Sequence, residues 1–290
     1  MNIEMAYMLG MILGNGEIQQ NNTHTTVTID IPYKNLRTDD MKDVKIYVKA
    51  SIVDIRSIIE PLIGHALAVT QTPNATKLSF SKPNEEYVIR EMLRLIGGGR
   101  HHSTMKMNPE LFSLTVDQKK ALLRGIADVT GYIRRSNYAY KKYAHRVYIE
   151  IPQNWHMVID IANMLKDIDI PIQTINFGHP NFRDSNLEKY NEGKISYWKK
   201  EHQIKIYANE FLPIGFNVKH KQEALDIYAD ELLKHMTHDK THKFYWETKK
   251  YSNKTKPVHP AEKDASLPDE IRERHFDSWT DLARLLGYGE

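Results

Sequence analysis

The sequence contains no cysteine among its 290 residues. Disulfide bonds, thiolate zinc sites and cysteine nucleophiles are therefore excluded, and any metal would have to be held by oxygen or imidazole ligands. No apolar run approaches the roughly 20 residues that a membrane-spanning helix needs, and the N-terminus has no basic segment leading into an apolar core. We therefore expect a soluble intracellular protein, in the cytoplasm, the nucleoid or an organelle, with no membrane partner.

A strong excess of charge is also missing, since 40 Lys and Arg residues against 37 Asp and Glu residues give a formal net charge of +3. So small a basic excess does not by itself indicate a nucleic-acid partner. Hydrophobic residues make up 41% and charged residues 27% of the chain, which excludes a disordered or fibrous class. The length allows one large or two small domains. Where the positive charges lie is therefore more informative than their sum.

Two segments of the chain are related to each other. The segments AYMLGMILGNGEI and KALLRGIADVTGYI superpose without gaps, so that Gly10 matches Gly125 and Gly16 matches Gly131. Each reads as an apolar helix that ends at a glycine turn. Small residues on one face of each helix would let the two backbones approach closely. These small residues are Gly10, Gly14, Gly125 and Ala127.

The pattern after each of these helices is strand, strand, helix, strand, strand, helix. The first copy reads EIQQNNTHTTVTIDI, DVKIYVKA, SIVDIRSIIEPLIG, ALAVTQT, TKLSFSK and NEEYVIREMLRLIGGG, and the second reads YIRRSNYAY, HRVYIEIP, NWHMVIDIANMLKDI, IPIQTINF, HQIKIYA and KQEALDIYADELLKH. The fold class that we predict is α+β, with two pseudo-symmetric αββαββα repeats at 1–100 and 119–234. A linker at 101–118 joins them, and a C-terminal helical extension follows at 235–290.

The two helices, LGMILGNG and LRGIADVTG, resemble the signature helices of the LAGLIDADG homing endonuclease family in its single-chain, two-motif form, with degenerate motifs. The resemblance covers residues 4–234. It implies a saddle in which the motif helices pack side by side and each half lays an antiparallel sheet into the major groove of double-stranded DNA. It further implies a monomer with internal pseudo-twofold symmetry and metal-dependent phosphodiester cleavage of the homing or restriction type, with magnesium as the cofactor.

The resemblance also implies an aspartate at the penultimate position of each motif, because magnesium prefers oxygen ligands with negative charge. The matching positions hold Asn15 and Thr130, which carry no charge. Three explanations stay open: Asn15 is an engineered replacement of aspartate, the chain is a natural DNA-binding regulator that does not cleave, or Glu17 or Asp128 supplies the carboxylate. Asp128 is better explained as a bridge or cap at the helix interface. The candidate metal ligands are Asn15 and Glu17.

Two lysines lie at matching places in the last strand of each repeat, and the resemblance implies a position near the scissile phosphates. The candidate catalytic residues are therefore Asn15, Thr130, Lys77 and Lys205.

Alternation along the predicted strands gives each sheet one apolar face and one face of hydrogen-bonding groups. A solvated sheet face would alternate in the same way, but the resemblance favours a face that contacts phosphates and base edges. The predicted DNA-binding residues are Gln19, Asn21, Thr23, Thr25, Lys45, Tyr47 and Lys49 in the first repeat, and Arg134, Ser136, Tyr138, Tyr140, Arg146 and Tyr148 in the second.

Overall fold

Two helices at the centre of the molecule carry the repeated motifs. In the computed structural model, which describes residues 1–135, 145–176 and 201–238, helix α1 (Ile3–Asn15) packs along helix α5 (Val116–Thr130). The side chain of Asn2 caps α1, and Thr115 forms a capping box at the start of α5. Helix α1 is apolar on all sides, and it is buried from Met5 to Asn15.

Glycines let the two helices touch through their backbones. A β-carbon built on Gly10 would lie 1.9 Å from the carbonyl oxygen of Leu122, and one on Gly125 would lie 2.0 Å from the carbonyl oxygen of Tyr7. No larger residue fits at either place, because the obstacle is backbone rather than a movable side chain. The close approach predicted from the small-residue faces is confirmed.

Each motif helix leads directly into the edge strand of a four-stranded antiparallel sheet. The first sheet has the order β1-β2-β4-β3, and the second has the order β7-β8-β10-β9. The strands of the first sheet are β1 (Gly16–Gln20), β2 (His24–Pro32), β3 (Ala68–Gln71) and β4 (Ala75–Pro83). Those of the second are β7 (Gly131–Arg134), β8 (Arg146–Pro152), β9 (Thr174–Asn176) and β10 (Glu201–Tyr207).

Further helices cover the apolar faces of the sheets and the ends of the motif helices. They are α2 (Tyr33–Leu36), α3 (Val44–Ile63) and α4 (Tyr87–Leu95) in the first half, and α6 (Trp155–Asp167), α7 (Ala208–Phe211) and α8 (Lys219–His238) in the second. Between the halves lie the hairpin β5 (Ile96–Gly98) and β6 (Met105–Met107) and a 3-10 helix (Pro109–Ser113). Met105, Met107 and Leu111 of the predicted linker are buried in the core.

The predicted strand DVKIYVKA is wrong, because these residues form the start of helix α3. Asp43 caps this helix by accepting a hydrogen bond from the backbone nitrogen of Lys45 at 2.8 Å. The alternation of apolar residues was misleading, since Val44 and Ile46 are 44% and 61% exposed whereas Tyr47 is buried. The first two strands of this half both lie before Val44: they are β1 and β2, which are joined by a tight turn at Asn21. Lys45, Tyr47 and Lys49 therefore do not lie on a sheet face.

The α+β class with two halves of the same strand order is confirmed. The predicted C-terminal helical extension lies outside the described residues from 239 onward, and residues 177–200, between β9 and β10, also lie outside them. Within the described ranges, no helix is long and apolar enough to cross a membrane.

Candidate nucleic-acid interface

The ends of the two motif helices occupy matching places in the two sheets. Gly16 pairs with Ile29, and Gly131 pairs with Ile149. The next residue on the neighbouring strand points to the outward face of its sheet, because side chains alternate along a strand. That residue is an acid in both halves, Asp30 in the first and Glu150 in the second.

Asn15, at the end of the first motif helix, uses its amide to hold the neighbouring strand. It is 9% exposed, and its Nδ2 donates to the backbone carbonyl oxygen of Asp30 at 2.7 Å. The carboxylate of Asp30 lies 3.2 Å from the Nζ of Lys77. Glu17, one strand away, is exposed, and it accepts a hydrogen bond from Gln19 at 3.1 Å.

Thr130, at the end of the second motif helix, faces the protein interior. It is 1% exposed, and its hydroxyl donates to the carbonyl oxygen of Ile126 at 2.7 Å, within the same helix. The carbonyls that end this helix are held by Lys221 of α8, whose ammonium lies 2.9 Å from the oxygen of Ala127 and 2.8 Å from that of Gly131. A cation at a helix C-terminus is favourable, since the unpaired carbonyls there carry partial negative charge.

Asp128 bridges the helix interface, as the sequence indicated. It is fully buried and accepts hydrogen bonds from the hydroxyl of Tyr7 at 2.8 Å and from the backbone nitrogen of Asn217 at 3.0 Å. Burial raises the pKa of this carboxyl above its usual value, although the nearby Lys221 acts in the opposite direction. Asp128 is thus committed to packing and is not available as a ligand.

The residues at the motif ends do not fit a magnesium ion. Asn15 turns its amide nitrogen to a backbone carbonyl, Thr130 is buried with its hydroxyl inside the helix, and Glu17 is the one charged candidate. Across residues 1–135, 145–176 and 201–238, no three histidine, aspartate or glutamate side chains come together in a group that could hold a metal ion. A hard divalent cation needs several oxygen ligands with negative charge among them.

On the first sheet, the predicted alternation of outward and inward side chains holds up to Gln19 and is reversed after the turn that follows. Gln19 is exposed on this face, whereas Asn21 and Thr23 form the turn rather than a strand, with Asn21 Oδ1 accepting from the backbone nitrogen of Thr23 at 2.9 Å. The turn reverses the alternation, so that Thr25 points inward. It is fully buried, and its hydroxyl donates to Asn84 at 2.8 Å, so the prediction that it lies on the outward face is wrong.

Threonine and serine are the most frequent polar residues on the outward face of the first sheet. Thr26 donates to Ser81 at 3.1 Å, and Thr28 pairs with Ser79. The register places on this face the polar residues Glu17, Gln19, His24, Thr26, Thr28, Asp30, Thr70, Lys77, Ser79 and Ser81.

The outward face of the second sheet carries cations alternating with aromatic rings. Arg134, Arg146 and Tyr207 form one row across the strands, and Tyr132, Tyr148 and Lys205 form the next. Tyr132 and Tyr148 stack with ring centroids 5.0 Å apart and planes within 8°. The predicted outward positions of Arg134, Arg146 and Tyr148 are confirmed.

A cross-half network borders this face. Lys34, in α2 of the first half, lies 2.8 Å from the carboxylate of Glu150 and also pairs with Glu201. The second oxygen of Glu150 accepts from Tyr132 at 2.9 Å and from Gln203 at 2.9 Å. Burial opposes the ionisation of Lys34, but the two carboxylates raise its pKa above the ordinary value. The network joins helix α2 of the first half to the outward face of the second sheet.

Lys77 and Lys205 do not occupy matching places. Lys77 pairs with Asp30, and the residue that pairs with the matching Glu150 is Gln203, whereas Lys205 pairs with Tyr148 one row away. The offset between the two lysines could not be predicted from the sequence, because it depends on which residues pair between neighbouring strands. Lys205 is largely buried under its neighbours, and this burial, together with Arg146, lowers its pKa to about 8.

Three predicted residues, Ser136, Tyr138 and Tyr140, lie outside the described residues. The sequence reading missed Tyr132 and Tyr207, although both share strand parity with predicted residues. Lys34 gave no signal in the sequence, because it reaches the second sheet from a short helix of the other half.

A scan against protein-family models gave no match, and neither did a search of curated proteins. Among solved structures, a variant of the homing endonuclease I-DmoI in complex with its target DNA and manganese matches at a TM-score of 0.42 and 15% identity, over 76% of this chain and 96% of that one. A double mutant of I-SmaMI matches at 0.38 and 8%, over 82% and 93%. Full-length DUF199/WhiA from Thermotoga maritima matches at 0.42 and 12%, over 80% of this chain and 60% of that one, so the match spans only part of WhiA.

Proposed function

We propose that this chain is a LAGLIDADG-type protein that binds a specific double-stranded DNA sequence as a monomer and does not cleave it through its motif ends. The two sheets offer outward faces of complementary kinds, hydroxyl and amide groups on the first and cations on the second. Hydroxyl and amide groups read base edges, and cations hold phosphates. In this proposal the repeats span 1–100 and 119–234.

The proposal that the chain does not cleave DNA rests on the residues at the two motif ends, which are both used for packing. The amide of Asn15 holds the backbone of β2, and the hydroxyl of Thr130 bonds within its own helix. Hydrolysis of a phosphodiester with magnesium needs charged ligands where these two uncharged side chains stand. A DNA-binding regulator that does not cleave requires only the outward faces of the two sheets.

Selection from a randomised duplex library, with magnesium or manganese and in parallel with a chelator, tests the proposal. We expect one sequence to be enriched with both strands intact under all three conditions. Strand breaks by the wild-type protein would overturn the non-cleaving proposal. Failure to retain DNA at low salt would overturn DNA binding as a whole and leave a protein-interaction module as the remaining function.

A metal-dependent endonuclease is the second candidate, and one observation favours it. Asp30 stands on the outward face beside Asn15, with Lys77 against its carboxylate, and one of its carboxylate oxygens is buried without a partner in the part of the chain that the structure describes. An Asn15→Asp variant would place a second carboxylate next to it. Cleavage by this variant in magnesium, abolished again by adding Asp30→Asn, would identify the chain as an inactive form of a nuclease. Asn15→Ala is the matched control, since it loses the same amide without adding charge.

A further inference from the structure

The two outward faces differ sharply in charge. On the first sheet, Lys77 is the one lysine or arginine among the described strand positions of that face, and it is paired with Asp30, while Glu17 on the same face accepts a hydrogen bond from Gln19. On the second sheet, Arg134, Arg146 and Lys205 stand in adjacent rows. The acids of that face, Glu150 and Glu201, are both bound to Lys34. A duplex whose surface is lined with phosphates therefore meets very different faces in the two halves.

We propose that the second sheet is the anchoring half of the interface, where Arg134, Arg146 and Lys205 form a phosphate-binding site, while the first sheet contributes hydrogen bonds and almost no electrostatic attraction. This inference rests on the proposed DNA-binding function and goes beyond it by dividing affinity and recognition between the halves.

The tyrosines of the second sheet hold these cations rather than stack on bases. The guanidinium carbon of Arg134 lies 4.7 Å from the ring centre of Tyr132, and that of Arg146 lies 5.6 Å from Tyr207. Lys205 lies 5.8 Å from the ring centre of Tyr148. Each ring thus already faces a cation, and Tyr132 and Tyr148 also cover each other. A cation over an aromatic face is attracted to it without being neutralised.

Two features indicate that the site is built to receive an anion. The Nε of Arg146 is buried and has no hydrogen-bond partner among the described residues, so no carboxylate there binds the guanidinium at that nitrogen. Lys205 is crowded by the like charge of Arg146, and the carboxylate that acts on it, Glu150, is already bound to Lys34. Like charges held together without a counterion gain most from an incoming phosphate, and arginine binds phosphate through two parallel hydrogen bonds.

Salt dependence of binding to mixed-sequence duplex DNA tests the inference. Neutralising the site with Arg134→Gln, Arg146→Gln and Lys205→Gln together removes up to three phosphate contacts, so the slope of log affinity against log salt becomes shallower by about 2 to 3. Lys77→Gln combined with Asp30→Asn, which removes the ion pair as a whole, is the matched control on the first sheet, and we expect a change of about 0.5 or less, because this lysine is already paired with Asp30. If the triple variant does not fold, Arg134→Gln alone carries the test, since Arg134 is exposed, with an expected change of about 1.

The contribution of the tyrosines to DNA binding is tested with a separate variant. Tyr148→Leu keeps all three cations but removes the ring beneath Lys205, so we expect weaker binding with little change of slope. Equal slope changes for the two sheets, or a larger change for the Lys77→Gln, Asp30→Asn control, would overturn the inference while leaving DNA binding intact. An absence of any binding by the wild-type protein would instead count against the proposed function.

Discussion

The ammonium of Lys34, in the first half of the chain, lies 2.8 Å from the carboxylate of Glu150 in the second half. The side chain of Glu150 is 8% exposed, whereas that of Lys34 is 45% exposed. We expect Lys34→Met to lower the free energy of unfolding by about 1 to 2 kcal/mol, because a mostly buried carboxylate loses its cation while solvent screens part of the pair. Chemical denaturation measures this loss.

Lys34→Met should also weaken DNA binding, because it leaves two unpaired carboxylates at the rim of the cationic face. The loss should be largely reversed by adding Glu150→Gln and Glu201→Gln, which remove those charges. If the triple variant binds no better than Lys34→Met, Lys34 contacts DNA directly and does not act through the two acids.

The contact between Gly125 and Tyr7 gives the largest stability prediction. A methyl group on Gly125 would meet the carbonyl oxygen of Tyr7 at 2.0 Å, so Gly125→Ala must separate the two motif helices. We expect a loss of about 3 kcal/mol or more in the free energy of unfolding. Gly97→Ala is the control, because the nearest atom to its β-carbon lies 3.5 Å away, and the loss there should stay below about 1 kcal/mol. Comparable losses for both would contradict the backbone contact.

Lys221 should be essential for the end of the second motif helix. The side chain is fully buried and donates to three backbone carbonyls near Asp128. Lys221→Met should cost about 3 to 5 kcal/mol, because it leaves these groups unpaired. Lys219→Met, next to it but with a side chain that is 82% exposed, should cost about 0.5 kcal/mol or less.

The cost of Lys221→Met should depend on pH in a defined direction. Burial, opposed in part by Asp128, lowers the pKa of Lys221 to about 8 from an ordinary value of 10.5. Between these values the unfolded chain binds a proton that the folded chain has lost, so the stability of the wild type rises with pH relative to the variant. Denaturation at pH values across this window should show the difference growing. A constant difference would mean that the pKa of Lys221 is not depressed.

DNA binding itself should take up a proton at Lys205. Burial and then Arg146 lower its pKa to about 8, against the opposing carboxylate of Glu150. A phosphate above the site favours the ammonium, so the affinity contributed by Lys205 is complete below this pH and is lost as the pH rises above it. We expect binding to weaken by about threefold to tenfold above this pH. Lys205→Arg keeps its charge and should lose this part of the pH dependence. Identical pH profiles for the two proteins would contradict a titrating Lys205.

The duplicated helices, their glycine contact and most strands could be predicted from the sequence, because period and small residues report directly on packing. The segment that begins at Val44 could not, since its apolar residues fit both a strand and a helix and only the cap at Asp43 decides. The face of Thr25 was predicted wrongly, because the turn between β1 and β2 reverses the alternation of inward and outward side chains. The role of Lys34 could not be predicted, because it contacts Glu150, which lies 116 residues away in the sequence. No local sequence pattern contains such a contact.

Because α1 and α5 meet backbone to backbone, the separation between the two sheets has little freedom to adjust. Under the proposed function, we expect the protein to require a fixed distance between its two half-sites on the DNA. If the chain binds DNA as proposed, inserting one base pair at the centre of the target would shift one half-site along the duplex axis and rotate it about that axis at once, and the contact between α1 and α5 would oppose the movement needed to follow it.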